Sequence, residues 1–298
     1  MNLLITGAWQ QAKEYMPQIK ELHNVVFLQH EKDEIPCDPA WIEGIICNSF
    51  FLTHPIERFS HLKYIQLTSA GYDRIPMDYV QKHEIVINNA RGVYSIPMAE
   101  MAIAGVLQLY KKMNVFQESQ KLHRWEKQRS LFELSEKTVA IIGCGNVGTE
   151  CAKRFKAFGT TVIGVDLFPR KDNNYDSMET LQKLNSVLSC SDIVIITVPL
   201  TEETNGLMNT TRFTHMKNTA VLINIARGAI VETEALGNWL KNGGTAFHDV
   251  FAEEPLSEDS PLWDLENVII TPHNSFVGDG NAKRLSNVII KNLLEYNK

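Results

Sequence analysis

Short runs of apolar residues alternate along this chain with longer stretches in which apolar positions recur every three or four residues. The first pattern predicts buried strands, and the second predicts helices that pack against them. In the first third of the chain, the predicted strands are residues 2–5, 24–28, 44–48, 64–69 and 85–88. This alternation is typical of a parallel sheet with helices on its faces, and it predicts a small doubly wound unit.

A long helix is predicted next, from Pro97 through the sequence MAEMAIAGVLQLYKKMNVFQESQ. Ser95 is suited to cap this helix, and Pro97 is suited to its first turn. Apolar residues are dense along the stretch, so we expect it to be buried against another domain or subunit.

The alternation then repeats more clearly, which predicts a second doubly wound unit and an α/β fold with two parallel-sheet domains. The strands predicted here are residues 137–142, 160–165, 192–198, 220–225, 244–250 and 267–272. The helices predicted here are residues 146–158, 178–188 and 232–242, with a final helix over 280–297.

Composition narrows the class of protein. The length of 298 residues suits two domains, and 44% hydrophobic with 21% charged residues is ordinary for a globular protein. A net charge of −6 argues against a nucleic-acid partner. No apolar run is long enough to span a membrane, and the N-terminus lacks the basic region of a signal peptide. The five cysteines form no CxxC pair, which favours a reducing cytoplasm over disulfides.

A glycine-rich turn provides the first candidate site. Gly143, Gly145 and Gly148 form G-x-G-x-x-G directly after a predicted strand and at the start of a predicted helix. In that context the first glycine allows a tight turn, the second lets the backbone approach a pyrophosphate, and the third lets helix and strand pack closely. The helix start at Asn146 and Val147 then offers backbone N–H groups to the phosphates.

Asp166 ends the next predicted strand. A carboxylate at that position accepts hydrogen bonds from the ribose hydroxyls and repels a 2′-phosphate, which favours NAD over NADP. Arg170 and Lys171 follow closely and are able to bind a 2′-phosphate, so NADP stays an alternative.

Three chemically interesting residues follow successive predicted strands of the same half: Arg227, Glu254 and His273. Ligands of open α/β sheets bind outside the carboxyl ends of the strands, so we expect these residues to converge. A guanidinium binds a carboxylate and stabilises a developing negative oxygen, and histidine donates protons near neutral pH. Glu254 would orient His273 and favour its charged form. The pattern therefore predicts hydride transfer to a 2-oxo acid, with Arg227 binding the substrate and His273 as the proton donor.

Each of the three also has a purely structural interpretation. Arg227 suits a helix cap or a structural ion pair, Glu254 a surface loop, and His273 a packed turn after Pro272. Their joint placement after three strands of a nucleotide-binding sheet favours the catalytic interpretation.

With these motifs in view, the sequence resembles the D-isomer-specific 2-hydroxyacid dehydrogenases, and among them the glyoxylate/hydroxypyruvate reductase type. The matching stretches run in family order over most of the chain: TSAGYDRIP, GVYSIPMAEMAIAGVL, VAIIGCGNVG, VPLTEETNGLM, LINIARGAIVETEAL, HDVFAEEPL and ITPHNS. The resemblance implies a flavodoxin-like substrate domain, residues 1–95 and 276–298, into which a Rossmann NAD-binding domain, residues 96–275, is inserted. It also implies a homodimer packed through the NAD-binding domains, with helix 97–120 and the following arm contributing.

The resemblance further implies roles for individual residues. Arg227, Glu254 and His273 correspond to the catalytic trio, with Arg227 and His273 also contacting the substrate, whose carboxylate is held by backbone groups of Ala70 and Gly71. The implied cofactor contacts are Gly143, Gly145, Asn146, Val147, Gly148, Asp166, Val198, Pro199, Thr204, Ile225, Ala226 and Asp249, the last on the nicotinamide carboxamide.

Two other activities are alternatives. A phosphoglycerate dehydrogenase-like enzyme is the alternative within the family, although no extra basic cluster for a substrate phosphate is evident in the sequence. An NAD(H)-sensing co-regulator is the alternative of another class, and the intact Arg, Glu and His argue against it. The histidines form no HxH or HExxH pattern, so no metal site is expected.

Overall fold

The structure, a computed structural model, describes residues 1–296, so the predicted helix end at Asn297 lies outside the described residues. The chain divides into two compact units, Met1–Tyr94 with Gly278–Lys298, and Ser95–Val277. The second unit is therefore an insertion in the sequence of the first.

The strands are β1 (Asn2–Thr6), β2 (Asn24–Leu28), β3 (Gly44–Cys47), β4 (Tyr64–Leu67), β5 (Val86–Asn88), β6 (Thr138–Ile142), β7 (Thr161–Val165), β8 (Ser177–Glu179), β9 (Ile193–Ile196), β10 (Val221–Asn224), β11 (Thr245–His248) and β12 (Val268–Ile270). The α-helices are α1 (Ala12–Lys20), α2 (Met77–Lys82), α3 (Ser95–Tyr110), α4 (Met113–Lys121), α5 (Asn146–Ala157), α6 (Leu184–Cys190), α7 (Thr210–His215), α8 (Thr233–Lys241) and α9 (Asn281–Tyr296).

The first unit is built on a five-stranded parallel sheet in the order β2-β1-β3-β4-β5. Alternate strand residues face opposite sides of the sheet, and both sides are buried. Leu4 packs with Phe59 on one side. Leu3 and Ile5 pack on the other side with Ile289 of α9, which brings the end of the chain back onto this sheet.

The second unit contains a seven-stranded parallel sheet in the order β12-β11-β10-β9-β6-β7-β8. Val139 and Ile141 face α3 and α5, whereas Ala140 and Ile142 face α6, α7 and α8. The strand order reverses between β6 and β9, and in such sheets a ligand crevice lies outside the carboxyl ends of the strands at that point. Both sheets thus have doubly wound orders, flavodoxin-like in the first unit and Rossmann-like in the second, which confirms the predicted fold class.

Several predicted elements differ in their bounds. The single helix predicted over 97–120 is two helices, α3 and α4, because Lys112 adopts a left-handed conformation with φ of 50°. The helix predicted over 178–188 was wrong at its start, where Met178 pairs with Gly164 in the edge strand β8, and helix α6 begins only at Leu184. Pairing with a neighbouring strand overrides the local helical pattern in such a short segment.

Within residues 1–296, no helix is long and apolar enough to cross a membrane.

Candidate active site

The glycine-rich turn joins β6 to α5 at the reversal of the second sheet. Gly143 has φ of +97°, and a Cβ there would lie 2.7 Å from the backbone nitrogen of Val198. A Cβ on Gly148 would lie 2.0 Å from the carbonyl oxygen of Gly143. The first and third glycines therefore serve the turn and the close packing of helix on strand, as predicted from the motif.

The second glycine has a different environment. Apart from its two neighbours in the chain, no described residue has an atom within 4 Å of a Cβ built on Gly145, so the turn leaves open space at this point. The adjoining helix α5 starts at Asn146, and the N–H groups of a first helical turn have no acceptor within the helix. Open space beside several N–H groups at the positive end of a helix fits a dinucleotide pyrophosphate.

Asp166 and Arg170 both contact the backbone of Cys144 inside the turn. Oδ2 of Asp166 accepts a 2.7 Å hydrogen bond from Cys144 N, and Oδ1 accepts a 3.1 Å bond from Phe168 N. Nη2 of Arg170 donates to Cys144 O at 3.1 Å. The structure thus brings the acid that favours NAD and a base that suits NADP to the backbone of the same residue, Cys144. Burial raises the pKa of the Cys144 thiol to about 12, so this cysteine stays protonated at neutral pH.

Residues 198–204 form the loop on the other side of the reversal, after β9. Thr204 is 3% exposed, and its hydroxyl donates to Pro199 O at 2.6 Å while accepting from Thr201 N at 2.7 Å. The buried side chain of Thr204 therefore stabilises the loop conformation through these two hydrogen bonds. A contact of Val198, Pro199 and Thr204 with the adenosine and phosphates stays a prediction.

Arg227 follows β10, where the buried side chain of Asn224 organises the backbone. Asn224 Oδ1 accepts from Ala226 N, and its Nδ2 donates to Arg227 O, each at 3.1 Å. Nη1 of Arg227 donates to Ala226 O at 2.8 Å. A Cβ on Gly228 would lie 1.8 Å from the carbonyl carbon of Phe251, so the loops after β10 and β11 touch through their backbones.

Glu254 and His273 come together as predicted. Nδ1 of His273 lies 2.8 Å from Oε2 of Glu254, and Oε1 of Glu254 accepts from Phe251 N at 2.9 Å. A carboxylate only accepts, so this contact places the proton of the neutral imidazole on Nδ1 and leaves Nε2 facing away from Glu254. Both side chains are a little over one-third exposed, at 39% for His273 and 36% for Glu254, and are therefore accessible to a small molecule.

Asp249 organises the turn that carries His273. Its fully buried carboxylate accepts hydrogen bonds from Thr271 Oγ1 at 2.5 Å, Asn274 N at 2.8 Å and Ser275 N at 3.0 Å. Its carbonyl oxygen also accepts from His273 N at 2.7 Å, and His273 has φ of 51°. These four bonds hold a histidine in a conformation that residues other than glycine seldom adopt. The predicted contact of Asp249 with a nicotinamide carboxamide stays a prediction.

Ala70 and Gly71 lie in the first unit, in the loop after β4. Three successive carbonyl oxygens of this loop accept hydrogen bonds: Ser69 O from Ala90 N at 2.8 Å, Ala70 O from Asn89 Nδ2 at 2.6 Å, and Gly71 O from Ser69 Oγ at 3.0 Å. In a trans peptide the N–H points opposite to the C=O, so the N–H groups of Ala70 and Gly71 are oriented as well. Among the described residues, neither N–H has a protein acceptor, which suits a carboxylate ligand.

Three residues that shape the catalytic loops were not predicted from the sequence: Thr271, Asn224 and Gly228. Thr271 and Asn224 lie at strand ends and act through side-chain bonds to the backbone or to Asp249. Their positions beside the predicted catalytic residues were a usable signal, but a polar residue at a strand end does not reveal its partner.

Residues 103–275 match the family model of the NAD binding domain of D-isomer specific 2-hydroxyacid dehydrogenases. The chain belongs to this family. The predicted resemblance is confirmed, as is the prediction that the protein is an NAD(P)-dependent oxidoreductase.

Relatives of known name differ in their substrates. Glyoxylate reductase of Thermofilum pendens is 34% identical over 244 residues, which cover 78% of this chain and 71% of that protein. D-3-phosphoglycerate dehydrogenase of Archaeoglobus fulgidus is 37% identical over 221 residues, which cover 73% of this chain but only 42% of the relative. This chain therefore matches less than half of the length of that dehydrogenase.

Solved structures of the family match nearly the whole chain. D-lactate dehydrogenase from Aquifex aeolicus, complexed with NAD and lactic acid, has a TM-score of 0.80 at 27% identity, covering 99% of this chain and 96% of that one. A family member from Xanthobacter autotrophicus, complexed with NADPH, has a TM-score of 0.82 at 26% identity. The match covers 100% of this chain and 95% of that one. Both cofactors thus occur among the structural neighbours of this 2-hydroxyacid dehydrogenase family member.

Within residues 1–296, no group of three or more His, Cys, Asp and Glu side chains is arranged to hold a metal ion, and the five cysteines are free.

Proposed function

We propose that this chain interconverts a small 2-oxo acid and its D-2-hydroxy acid, with Arg227, Glu254 and His273 as the catalytic residues. The observation that supports this most directly is the 2.8 Å hydrogen bond between His273 Nδ1 and Glu254 Oε2. It lies at the carboxyl edge of the same sheet that carries the glycine-rich turn.

The dinucleotide, when bound, supplies the hydride for the substrate carbonyl carbon. As the carbonyl oxygen becomes negative, the guanidinium of Arg227 stabilises it and binds the neighbouring carboxylate. Nε2 of His273 delivers the proton that completes the hydroxyl group. Glu254 holds Nδ1 and stabilises the imidazolium before the proton is transferred.

The substrate carboxylate is held by the oriented N–H groups of Ala70 and Gly71. Neutral backbone donors suit this task because they are fixed in direction before the substrate arrives.

The cofactor pyrophosphate would be held by Gly143, Gly145 and Gly148 and by the first residues of α5, Asn146 and Val147. Asp166 would select NAD over NADP, and Val198, Pro199 and Thr204 would bind the adenosine and phosphates. Ile225, Ala226 and Asp249 would line the nicotinamide.

We further propose a cytoplasmic homodimer. The segment after α4 exposes large apolar side chains, with Trp125 at 96%, Leu122 at 51% and Phe132 at 45% exposure. Burying such a surface in a partner subunit is favourable by about 25 cal/mol per Å². Analytical ultracentrifugation tests this, since Trp125→Asp with Leu122→Asp should convert the dimer to a monomer, and a monomeric parent protein contradicts it.

The catalytic proposal is tested with purified protein, NADH or NADPH, and a panel of glyoxylate, hydroxypyruvate and pyruvate. Oxidation of the cofactor should require one of these acids, and Arg227→Ala or His273→Ala should each lower kcat/KM by roughly 10²- to 10⁴-fold. His215→Ala, at an exposed histidine ending α7, serves as the control and should keep full activity. Full activity in both Arg227→Ala and His273→Ala would falsify the site.

A further inference from the structure

A short backbone pairing in the second unit joins the loop after β9 to the loop after β10. Gly206 N donates to Ala229 O at 2.9 Å, and Met208 N donates to Ile230 O at the same distance. In the opposite direction, Glu232 N donates to Met208 O at 3.0 Å. These hydrogen bonds form a parallel pairing outside the strands of the sheet, which we call the bridge.

The bridge reaches the backbone of Arg227 through Ile230. The carbonyl oxygen of Ile230 accepts from Met208 N, while the N–H of Ile230 donates to Arg227 O at 3.3 Å. Arg227 O also accepts from Asn224 Nδ2 at 3.1 Å. Met208 and Ile230 are both 0% exposed, so water does not compete for the hydrogen bond between them. A displacement of Met208 is therefore passed to the backbone that positions the guanidinium.

At its other end the bridge continues into the loop proposed to bind the adenosine and phosphates. The hydroxyl group of Thr204 donates to Pro199 O and accepts from Thr201 N. The carbonyl oxygen of Thr204 accepts from Leu207 N at 3.1 Å, which leads directly into the bridge. Thr204 and Leu207 are each 3% exposed, whereas residues 199–203 are exposed. Buried hydrogen bonds thus connect the exposed part of the loop to the bridge.

Gly206 gives the bridge its conformation. Its φ is +61°, and a Cβ there would lie 3.3 Å from Oε1 of Glu232. A β-branched residue is strongly disfavoured in this left-handed region, so the N–H of residue 206 points at Ala229 O only while glycine occupies the position.

This continuity has a consequence for binding. A ligand that orders residues 199–203 loses conformational entropy in doing so. Because the bridge extends that ordering to the backbone of Arg227, a second ligand that binds Arg227 meets a loop that is already ordered and binds more tightly.

We propose that the bridge couples the two binding regions, so that a ligand in the adenosine and pyrophosphate region strengthens the binding of a 2-oxo acid by Arg227. Gly206 is a positioning residue in this assignment, and Thr204 connects it to the exposed loop. Both act through the backbone of Arg227 and not on the reacting atoms. The inference rests on the proposed function, because it links two of the binding regions assigned there.

The test uses two probes that do not react. ADP-ribose carries the adenosine and pyrophosphate of the cofactor but lacks the nicotinamide ring, and oxamate is an unreactive analogue of a 2-oxo acid. Isothermal titration calorimetry measures the Kd of oxamate without and with saturating ADP-ribose. We expect ADP-ribose to lower this Kd roughly 5-fold or more, and saturating oxamate to lower the Kd of ADP-ribose by the same factor. A Kd of oxamate that ADP-ribose does not change overturns the inference.

Two variants test whether the bridge carries this coupling. Gly206→Val should reduce the factor to about 1, because valine does not hold the left-handed conformation. Gly243→Val is the matched control, at a glycine with φ of +96° after α8, and should keep the parent factor; apart from its chain neighbours, no described residue has an atom within 4 Å of a Cβ built there. Thr204→Val removes the hydroxyl and should lower the factor, whereas Thr204→Ser keeps the hydroxyl and should retain it.

The outcomes separate this inference from the proposed function. Urea unfolding checks that each variant is folded, and Thr204→Val decides if Gly206→Val does not fold. A parent factor retained in both folded variants, or in Thr204→Val alone where Gly206→Val is unfolded, overturns the inference while the proposed function stands. Arg227→Ala should abolish oxamate binding and keep ADP-ribose binding. Oxamate binding to Arg227→Ala that equals binding to the parent protein overturns the proposed role of Arg227, and this inference with it.

Discussion

The hydroxyl group of Thr271 donates a 2.5 Å hydrogen bond to Oδ1 of Asp249, two residues before the catalytic candidate His273. Asp249 directly follows β11, and Thr271 directly follows β12. This hydrogen bond therefore connects the carboxyl ends of two neighbouring strands. Because Asp249 also accepts from Asn274 N and His273 N, the Thr271 bond helps fix the turn on which the imidazole is presented.

Thr271→Val removes this donor and keeps the shape of the side chain. A buried carboxylate that loses one of its donors is destabilised by roughly 1.5–3 kcal/mol, and the turn shifts to compensate. We expect kcat with the preferred 2-oxo acid, measured by steady-state kinetics, to fall about 10-fold or more. Thr271→Ser keeps the hydroxyl and should retain most activity; equal losses in both variants would contradict the positioning role.

Glu254→Gln keeps an acceptor for Phe251 N and removes the negative charge beside His273. A glutamine that accepts from Phe251 N presents its NH2 group to Nδ1 of His273, so it no longer accepts the Nδ1 proton and no longer orients the imidazole. We expect kcat/KM for 2-oxo acid reduction to fall roughly 10²- to 10⁴-fold. Steady-state kinetics measure the change, with Glu253→Gln as the exposed control; an unchanged kcat/KM argues against the pair.

Gly228→Ala tests the contact between the loops that carry Arg227 and Glu254. The added Cβ would lie 1.8 Å from the backbone of Phe251, so the loops must separate. We expect a loss of about 1–3 kcal/mol in the free energy of unfolding and a fall in activity that exceeds the loss of folded protein. Gly237→Ala in α8 meets no atom within 4 Å and should stabilise the protein by about 1 kcal/mol. Urea unfolding measures the stability of both variants, and steady-state kinetics measure their kcat.

Asp166→Ser should move cofactor preference towards NADPH. The substitution removes the carboxylate that repels a 2′-phosphate, and Arg170 remains close by, bound to Cys144 O. We expect the ratio of kcat/KM for NADPH to that for NADH to rise roughly 10-fold or more, and adding Arg170→Ala to reverse part of the rise. If the unaltered protein already prefers NADPH, Asp166 does not select NAD.

His248 should make the protein less stable in acid. Its ring is buried, with Nδ1 2.9 Å from Val250 O, and burial lowers its pKa from 6.5 to about 4. Between these values the unfolded chain binds a proton that the folded protein excludes, so stability is lost as the pH falls from about 6.5 to about 4, by roughly 3 kcal/mol in all. Urea unfolding of the parent protein and of His248→Asn, which keeps a donor but does not titrate, should show this difference between pH 7 and pH 4.5. Parallel stability curves would refute it.

Much of the fold was predictable because it follows from local patterns. The apolar runs at residues 220–225 and 137–142 predicted strands β10 and β6, and the alternation of strands and helices predicted two parallel sheets. The three-residue strand β8 was not predictable, because it exists only through its pairing with β7 at the sheet edge. The break at Lys112 was missed for a similar reason, since no glycine or proline marks it.

The glycine-rich turn and the residues Asp166, Arg227, Glu254 and His273 were recognisable from the chain alone, since parallel strands bring their carboxyl ends to one edge of a sheet. The hydrogen bonds that hold these groups, Thr271 to Asp249 and Asn224 to Arg227 O, became visible only in the folded protein. Periodicity encodes which face of an element is buried, whereas these contacts depend on loop conformations and side-chain rotamers that residues far apart in the chain impose on one another.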